Sequence, residues 1–165
     1  MDLPTTSPTF QDKQSRTWAI ELDFGKLREI RKRTQLDFGE IEKFAEAWAH
    51  ILSDDQKALA AIWVGISDRC ELTEDDWLAA MDGDSLEAGC DALLAAVRNF
   101  TRPLKRGMID AGAAKIHQRY KEAIRLAEQT IEAITTETTR DAIERLGMQQ
   151  QTVRESLATS TTVGV

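Results

Sequence analysis

The sequence has few of the residues that build metal sites, disulfides or membrane spans. Its 165 residues include two cysteines, Cys70 and Cys90, and two histidines, His50 and His117. Neither pair has the close spacing of a zinc site or of a CxxC motif, so we expect reduced thiols and no metal site. No run of about 18 apolar residues is present, and the first ten residues contain no basic residue. These absences predict a soluble, cytoplasmic protein without a secretory signal or a membrane partner.

Basic charge is also scarce, and much of it lies in one place. The formal net charge is −7. Residues 36–91 hold 15 acidic residues against three basic ones, whereas residues 26–33 have a net charge of +4. A protein that coats nucleic acid needs clustered Lys and Arg, so we expect no nucleic-acid partner. The basic segment can be a solvated helix face, can pair with the acidic middle of the chain, or can meet an acidic partner.

No catalytic constellation emerges from the short motifs. The Asp-Phe-Gly triplets at 23–25 and 37–39 occur without the Gly-rich loop, strand lysine and catalytic loop of a kinase, and helix caps followed by a buried Phe explain both. Asp82, Asp84 and Glu87 depart from a calcium-binding loop after the second ligand, and instead predict a capping turn. We therefore predict that the protein is not an enzyme, with no catalytic residues, no cofactor and no metal.

The N-terminal part predicts a small β-hairpin. Trp18, Ile20 and Leu22 alternate with polar or small residues, which is the period of a half-buried strand. A polar turn at 13–15 separates this run from a shorter one that begins at Thr9. A lone hairpin is marginal in water, so its Trp18 face must pack on helices. Residues 1–8 are predicted to be a flexible arm.

Capping signals divide the chain up to residue 104 into several helices. Asp23 and Thr73 are predicted to be single caps. The predicted capping boxes pair Asp37 with Glu40, Ser53 with Gln56, and Asp84 with Glu87. Residues 9–104 thus form the hairpin plus a compact helical body. All four tryptophans fall on inward faces and are predicted to lie in the core: Trp18, Trp48, Trp63 and Trp77.

One long C-terminal helix is predicted over residues 105–137. Threonines at 135–139 weaken a helix, so a break or hinge is expected there, followed by a weakly helical tail at 138–165. The fold class is therefore mainly α, with a small N-terminal hairpin, a helical bundle and a long C-terminal helix. Residues of the long helix recur at a heptad-like 4-3-4-3 spacing: Ile109, Ala113, Ile116, Tyr120, Ala123, Ala127, Thr130 and Ile134.

The far half of this seam is the candidate binding surface. A helix of about 30 residues spans roughly 45 Å, which is more than a body of this size covers. Either the seam folds back on the body, or its far half beyond about Tyr120 is exposed, and exposed apolar stripes mark partner surfaces. We predict self-association or protein binding through residues 120–135, and a possible homo-oligomer. The predicted partner-binding residues are Tyr120, Ile124, Ile131 and Ile134.

Short strings over roughly residues 9–135 are similar to those of a known family. Arg16–Leu22 (RTWAIEL), followed by Lys26–Arg31 (KLREIR), resembles the opening of phage and prophage proteins thought to act as tail assembly chaperones. Later strings also resemble that family: Leu72–Trp77 (LTEDDW), Met81–Ala88 (MDGDSLEA) and Asn99–Arg106 (NFTRPLKR).

The resemblance implies a small non-enzymatic protein that binds the hydrophobic tape-measure protein in the host cell cytoplasm before the tail tube polymerises. Such a chaperone would be absent from the finished virion, and its gene often yields a second, longer product by frameshifting. The alternative is a structural virion component, such as a connector or minor tail protein, which would form a ring or another oligomer.

Overall fold

The computed structural model describes residues 7–66 and 70–160, with side chains described up to residue 149. The predicted fold class, with a hairpin, a helical bundle and a long last helix, is confirmed. The predicted arm falls largely on residues 1–6 and the end of the predicted tail on residues 161–165, outside the described residues. The elements are β1 (Thr9–Gln11), β2 (Thr17–Ala19), α1 (Phe24–Thr34), α2 (Ile41–Ser53), α3 (Asp55–Ile66), α4 (Glu74–Ala79), α5 (Gly83–Phe100) and α6 (Pro103–Ser160).

The hairpin turn is organised by one buried carboxylate. β1 and β2 pair antiparallel, with Phe10 opposite Trp18. The Asp12 carboxylate accepts hydrogen bonds of 2.7–3.1 Å from the backbone N–H groups of Gln14 and Arg16, from Arg16 Nε and from Trp18 Nε1. Because a carboxylate has about four lone-pair sites, these four donors satisfy it even though its side chain is fully buried. The predicted hairpin is therefore held by its turn as well as by its strands.

Two of the predicted helix caps are confirmed. The carboxylate of Asp23 accepts a hydrogen bond of 2.8 Å from the backbone N–H of Lys26 at the start of α1. The hydroxyl of Thr73 accepts one of 3.2 Å from the backbone N–H of Asp76 at the start of α4. Both bonds satisfy a donor that the first turn of a helix otherwise leaves free.

The three predicted capping boxes are wrong. Asp37 does not cap α2 but accepts the N–H of Gly39 in a tight turn, and the helix begins one residue after Glu40. α3 and α5 begin after Asp54 and Asp82, whose carboxylates accept the backbone N–H groups three residues further on. The predicted caps Ser53 and Asp84 lie inside helices. Where two acceptors stand one or two residues apart, spacing alone does not decide which one caps.

The core of the helical body lies around α3, which contacts α1, α2 and α5, while β1 packs on α5. Gly65 in α3 allows Ile20, the residue after β2, to approach closely, since a Cβ at this position would lie 2.7 Å from Ile20 Cγ2. Trp48 and Trp77 are 0% exposed, as predicted. Trp18 and Trp63 are only partly buried, because they pack at the edge of the core. At the neighbouring position on α3, Ile62 takes the fully buried place instead of Trp63.

The chain divides into two compact units, Met1–Arg119 and Tyr120–Val165. Within the first unit, the early part of α6 contributes buried side chains to the core, namely Ile109 and Ala113. Ile116 is partly buried against the same core. This part of the predicted seam therefore serves the fold of the first unit.

The predicted break at 135–139 is wrong, because helix α6 runs through these residues. The threonine hydroxyls donate hydrogen bonds of 2.8–2.9 Å to the carbonyl oxygens four residues earlier. Such bonds satisfy the hydroxyl within the helix and leave the backbone ladder in place. The β-branched residues thus weaken the helix without ending it. The threonines concerned are Thr135, Thr136, Thr138 and Thr139.

Candidate partner-binding surface

The second unit presents apolar side chains along one face of its helix. Successive residues of an α-helix turn by about 100°, so positions at 4-3-4-3 spacing share a face. The predicted partner-binding residues are all exposed: Tyr120 by 39%, Ile124 by 43%, Ile131 by 64% and Ile134 by 58%. Together with the exposed Ala127 they form what we call the stripe.

The stripe differs slightly from the predicted seam. The seam followed Ala123 and Thr130, whereas the larger apolar residues are Ile124 and Ile131, one position further on. With 3.6 residues per turn, a strict heptad drifts around the helix, and the shift by one residue keeps the apolar face straight. The expected exposure beyond Tyr120 is found, and the binding role of these residues stays a prediction.

Other exposed apolar residues of the same helix lie off the stripe. Leu126 is 52% exposed, Ile143 is 65% exposed and Leu146 is 60% exposed. At 100° per residue, all three are rotated by roughly 80° or more from Tyr120. Leu126 is a single apolar side chain among polar ones, whereas Ile143 and Leu146, three residues apart, are neighbours on the helix surface away from the stripe. They therefore provide matched control positions for experiments on the stripe.

Charged residues line one side of the stripe in a definite order. Lys121, Arg125, Glu128 and Glu132 lie roughly 80–140° around the axis from Tyr120, and we call this row the flank. Its first two residues are basic and its last two are acidic. Among the described residues none of the four has a salt-bridge partner. The flank therefore presents unpaired charge of both signs beside an apolar face.

The basic segment 26–33 is largely used within the first unit. Arg33 makes two-pronged contacts of 3.0–3.1 Å with the carboxylate of Glu74, which belongs to the acidic middle of the chain. Arg31 pairs with Asp37 at 3.0 Å. Of the alternatives left open by the sequence, pairing within the chain accounts for these two residues. Their role is to tie α1 to its neighbours.

The reactive side chains of the first unit serve the fold. Burial raises the pKa of the Cys90 thiol to about 12, so this cysteine is not a thiolate near neutral pH. His117 lies against the Trp48 ring, with its Nδ1 3.1 Å from the carbonyl oxygen of Ala113. Among the described residues no group of three or more His, Cys, Asp or Glu side chains could hold a metal ion. In the same part of the chain, no helix is long and apolar enough to cross a membrane.

Several residues in the strings that carry the family resemblance have structural roles, of which the sequence predicted the Thr73 cap but not the others. Arg16 and Trp18 hold the buried carboxylate of Asp12. In the later strings, Thr73 caps α4 and Asp82 caps α5. The spacing Asp-x₃-Arg-x-Trp, formed by Asp12, Arg16 and Trp18, is the sequence pattern from which the hydrogen bonds to the Asp12 carboxylate could have been predicted. These residues therefore report on the fold rather than on a binding surface.

The comparisons with known proteins add no assignment. No protein-family model matches the chain, and neither does any curated protein or any solved structure. The resemblance to tail assembly chaperones therefore stays a prediction that rests on the short strings quoted above.

Proposed function

We propose that this chain is a non-enzymatic phage tail assembly chaperone that binds the tape-measure protein during tail assembly, and that the stripe is its docking surface. The observation that carries the proposal is the exposure of Tyr120, Ile124, Ile131 and Ile134 on one helical face. An apolar face of about four turns is long enough to bind a second helix along its length. The resemblance of residues 16–31 and 72–106 to tail assembly chaperones supplies the identity of the client.

The physical demands of this role agree with the surface of the chain. The client, a tape-measure protein rich in apolar helices, needs its apolar faces covered before assembly. A narrow stripe can cover one such face without enclosing the whole protein. The net charge of −7 would keep a loaded complex soluble by mutual repulsion. Contacts through a few exposed side chains are also easily released when the tail tube forms.

The proposal is tested by co-expressing the full chain with a phage tape-measure protein. We expect the chain to raise the soluble fraction of the client and to co-purify with it. The triple variant Ile124→Asp, Ile131→Asp, Ile134→Asp should lose both effects. The control variant Leu126→Asp, Ile143→Asp, Leu146→Asp adds the same charge off the stripe and should retain both.

Two results would count against the proposal. A client that stays insoluble with the unaltered chain would exclude the chaperone role. A triple variant that solubilises the client as well as the control does would place the docking surface elsewhere. In both variants the urea unfolding of the first unit must match that of the parent, so that loss of folding is not mistaken for loss of binding.

The alternative, a structural virion component, makes an opposite prediction about the assembled particle. A chaperone is absent from purified virions, whereas a connector or minor tail protein is present in a fixed copy number. Mass spectrometry of purified particles therefore separates the two functions. Stoichiometric recovery of the chain would favour the structural role.

A further inference from the structure

A second exposed apolar surface lies at the α5–α6 turn of the first unit. Leu104 is 98% exposed, Phe24 80% and Met108 56%. In the described part of this unit, Leu78 is the only other large apolar side chain with substantial exposure. The Phe24 ring packs edge-on against Phe100, the last residue of α5, with ring centroids 4.9 Å apart. Leu104 and Met108 lie one turn apart on the same face of α6.

The same turn carries basic charge that the fold does not use. Residues 92–109 contain four basic residues and no acidic one, although the whole chain has a net charge of −7. Arg98 pairs with a carboxylate of α6 at 2.8 Å, and Arg106 donates to two carbonyl oxygens at the end of α5. Arg102 and Lys105 are exposed, and neither has a salt-bridge partner among the described residues.

Helix α1 adds a third cation to this surface. Arg28 lies one turn after Phe24, so the two side chains share a face of the helix. It is exposed and has no salt-bridge partner in the described part of the chain. The carboxylate next to Phe24, that of Asp23, already accepts the backbone N–H of Lys26 at 2.8 Å. We call the surface the basic tip, which consists of Phe24, Arg28, Arg102, Leu104, Lys105 and Met108.

We propose that the basic tip binds a short acidic segment of a protein partner, in which Asp and Glu residues flank apolar ones. Apolar side chains with unpaired cations around them are complementary to such a segment in both polarity and charge. The net charge of −7 repels an extended anionic surface, such as a lipid bilayer or a nucleic acid, and it also repels a second copy of the chain. A short segment avoids most of this repulsion, because salt screens charges that are more than about 8–10 Å apart.

This contact goes beyond the proposed function and does not depend on it, since every residue of the basic tip belongs to the first unit. Its affinity should be modest, because exposed ion pairs contribute little and three apolar side chains bury a small area. We therefore expect a dissociation constant in the micromolar range that rises with salt concentration.

The test titrates the full chain into two short fluorescein-labelled peptides and follows fluorescence anisotropy at low salt. The first peptide has Leu at the spacing of an amphipathic helix and Glu at most other positions, and the second has Lys in place of Glu. The Glu peptide should bind at least about tenfold more tightly than the Lys peptide.

Charge reversal on the basic tip should weaken this binding. Arg102→Glu, Lys105→Glu should raise the dissociation constant of the Glu peptide by about tenfold or more, because two attractions become two repulsions. The control variant Lys121→Glu, Arg125→Glu makes the same change of charge in the second unit and should bind the peptide nearly as the parent does. This comparison separates the basic tip from the net charge of the chain.

Removing the apolar side chains tests the other half of the contact. Leu104→Ser, Met108→Ser should also raise the dissociation constant by about tenfold, whereas Leu126→Ser, Ile143→Ser should leave it unchanged. The replaced side chains are all exposed, so urea unfolding of each variant should match that of the parent.

Four results would overturn the proposal. The first is a Glu peptide that stays unbound at about 1 mM chain in low salt. The second is binding that survives the changes at Arg102 and Lys105, which would place the contact elsewhere. The third is binding of the chain to vesicles of phosphatidylglycerol that the Leu104→Ser, Met108→Ser variant loses, since the occupant would then be a lipid surface. The fourth is self-association of the parent that the same variant loses, since the occupant would then be a second copy.

Discussion

The two units of the chain have apolar residues at the same helical spacing, but these residues are buried in the first unit and exposed in the second. In the first unit, Ile109 and Ala113 of α6 are 1% and 4% exposed. In the second, Ile131 and Ile134 continue the apolar face of the helix and are 64% and 58% exposed. Heptad-like spacing therefore specifies that a helix has an apolar face, but it does not specify what covers that face. In the first unit the rest of the chain covers it, and in the second unit the described residues leave it exposed.

Polar residues show the same contrast. In the first unit Asp12, Asp23 and Thr73 satisfy backbone donors at turns and helix starts. In the second unit the threonine hydroxyls bond to their own helix, and the flank charges have no described partner. The first unit is thus a folded body in which these polar groups have partners, although among the described residues the buried Trp48 Nε1 and Trp77 Nε1 have none, and the second leaves both charges and apolar side chains exposed. The predictions that follow compare matched substitutions in the two units.

The largest expected effect comes from emptying the core of the first unit. Trp77→Ala should cost about 3–5 kcal/mol of the free energy of unfolding, because the ring is fully buried. Trp63→Ala should cost less, since that ring is partly exposed. Leu126→Ala in the second unit should change the stability of the first by less than about 0.5 kcal/mol. Urea midpoints measure all three, and equal costs for the two tryptophans would contradict the burial described above.

A glycine-to-alanine pair sharpens the comparison. Gly65→Ala should destabilise the first unit by about 1–3 kcal/mol, because the new methyl group would meet Ile20 at 2.7 Å. Gly147→Ala has nothing within 4 Å and should stabilise the helix of the second unit by about 0.5–1 kcal/mol. Urea unfolding measures the first effect and the circular dichroism melt of the helix the second. If both substitutions stabilised the protein, or both destabilised it, the close packing at Gly65 and the open surroundings of Gly147 would be contradicted.

Removing the charge of Asp12 tests the hairpin turn. Asp12→Asn should cost about 1–3 kcal/mol, since the amide cannot accept from all four donors. Burial opposes ionisation of this group, but hydrogen bonds from Arg16, Trp18 and Gln14 outweigh it and hold the pKa of the Asp12 carboxyl below its usual 3.8. The stabilisation is therefore complete above pH 3.8 and is lost as the pH falls through the lower, folded-state pKa. The cost of Asp12→Asn, measured by urea unfolding, should shrink in that acidic range, and a pH-independent cost would contradict it.

The smallest expected effects concern threonine. Thr73→Ala removes a helix cap and should cost the first unit about 1 kcal/mol. Thr135→Ala removes a β-branched residue from the helix of the second unit and should stabilise it by a few tenths of a kcal/mol. Urea unfolding and helix ellipticity report the two changes. A loss of helix on Thr135→Ala would mean that the hydroxyl bond is needed for continuity at 135–139.

The sequence predicted the parts of the fold that depend on local chemistry. The hairpin and the caps Asp23 and Thr73 follow from periodicity and turn chemistry, and they are confirmed. The starts of α2, α3 and α5 were misplaced because neighbouring side-chain acceptors compete for the cap position. The break at 135–139 was wrongly predicted because threonine hydroxyls can donate to carbonyl oxygens within a helix. Trp63 is only partly buried because three-dimensional packing, rather than the helical period, decides which of two neighbouring residues faces the core.

The candidate surface was predictable in position but not in purpose. Length and spacing placed the exposed face beyond Tyr120, where it is found. The flank went unrecognised as an ordered pattern, although its sequence of two basic and two acidic residues at 121–132 was readable. The identity of a partner is a property of two surfaces, and only one of them belongs to this chain.

The central claim is that the first unit folds by itself and that the helix of the second unit needs a partner to be stable. Hydrogen–deuterium exchange at several protein concentrations tests this claim most directly. We expect the amides of α3 and α5 to be protected equally at every concentration. Amides of residues 120–138 should exchange quickly in dilute solution and slow down as the concentration rises. Ile124→Asp, Ile131→Asp should abolish that slowing. Protection of residues 120–138 as strong as that of α3 at the lowest concentration would contradict the claim, because the stripe would then be covered by its own chain.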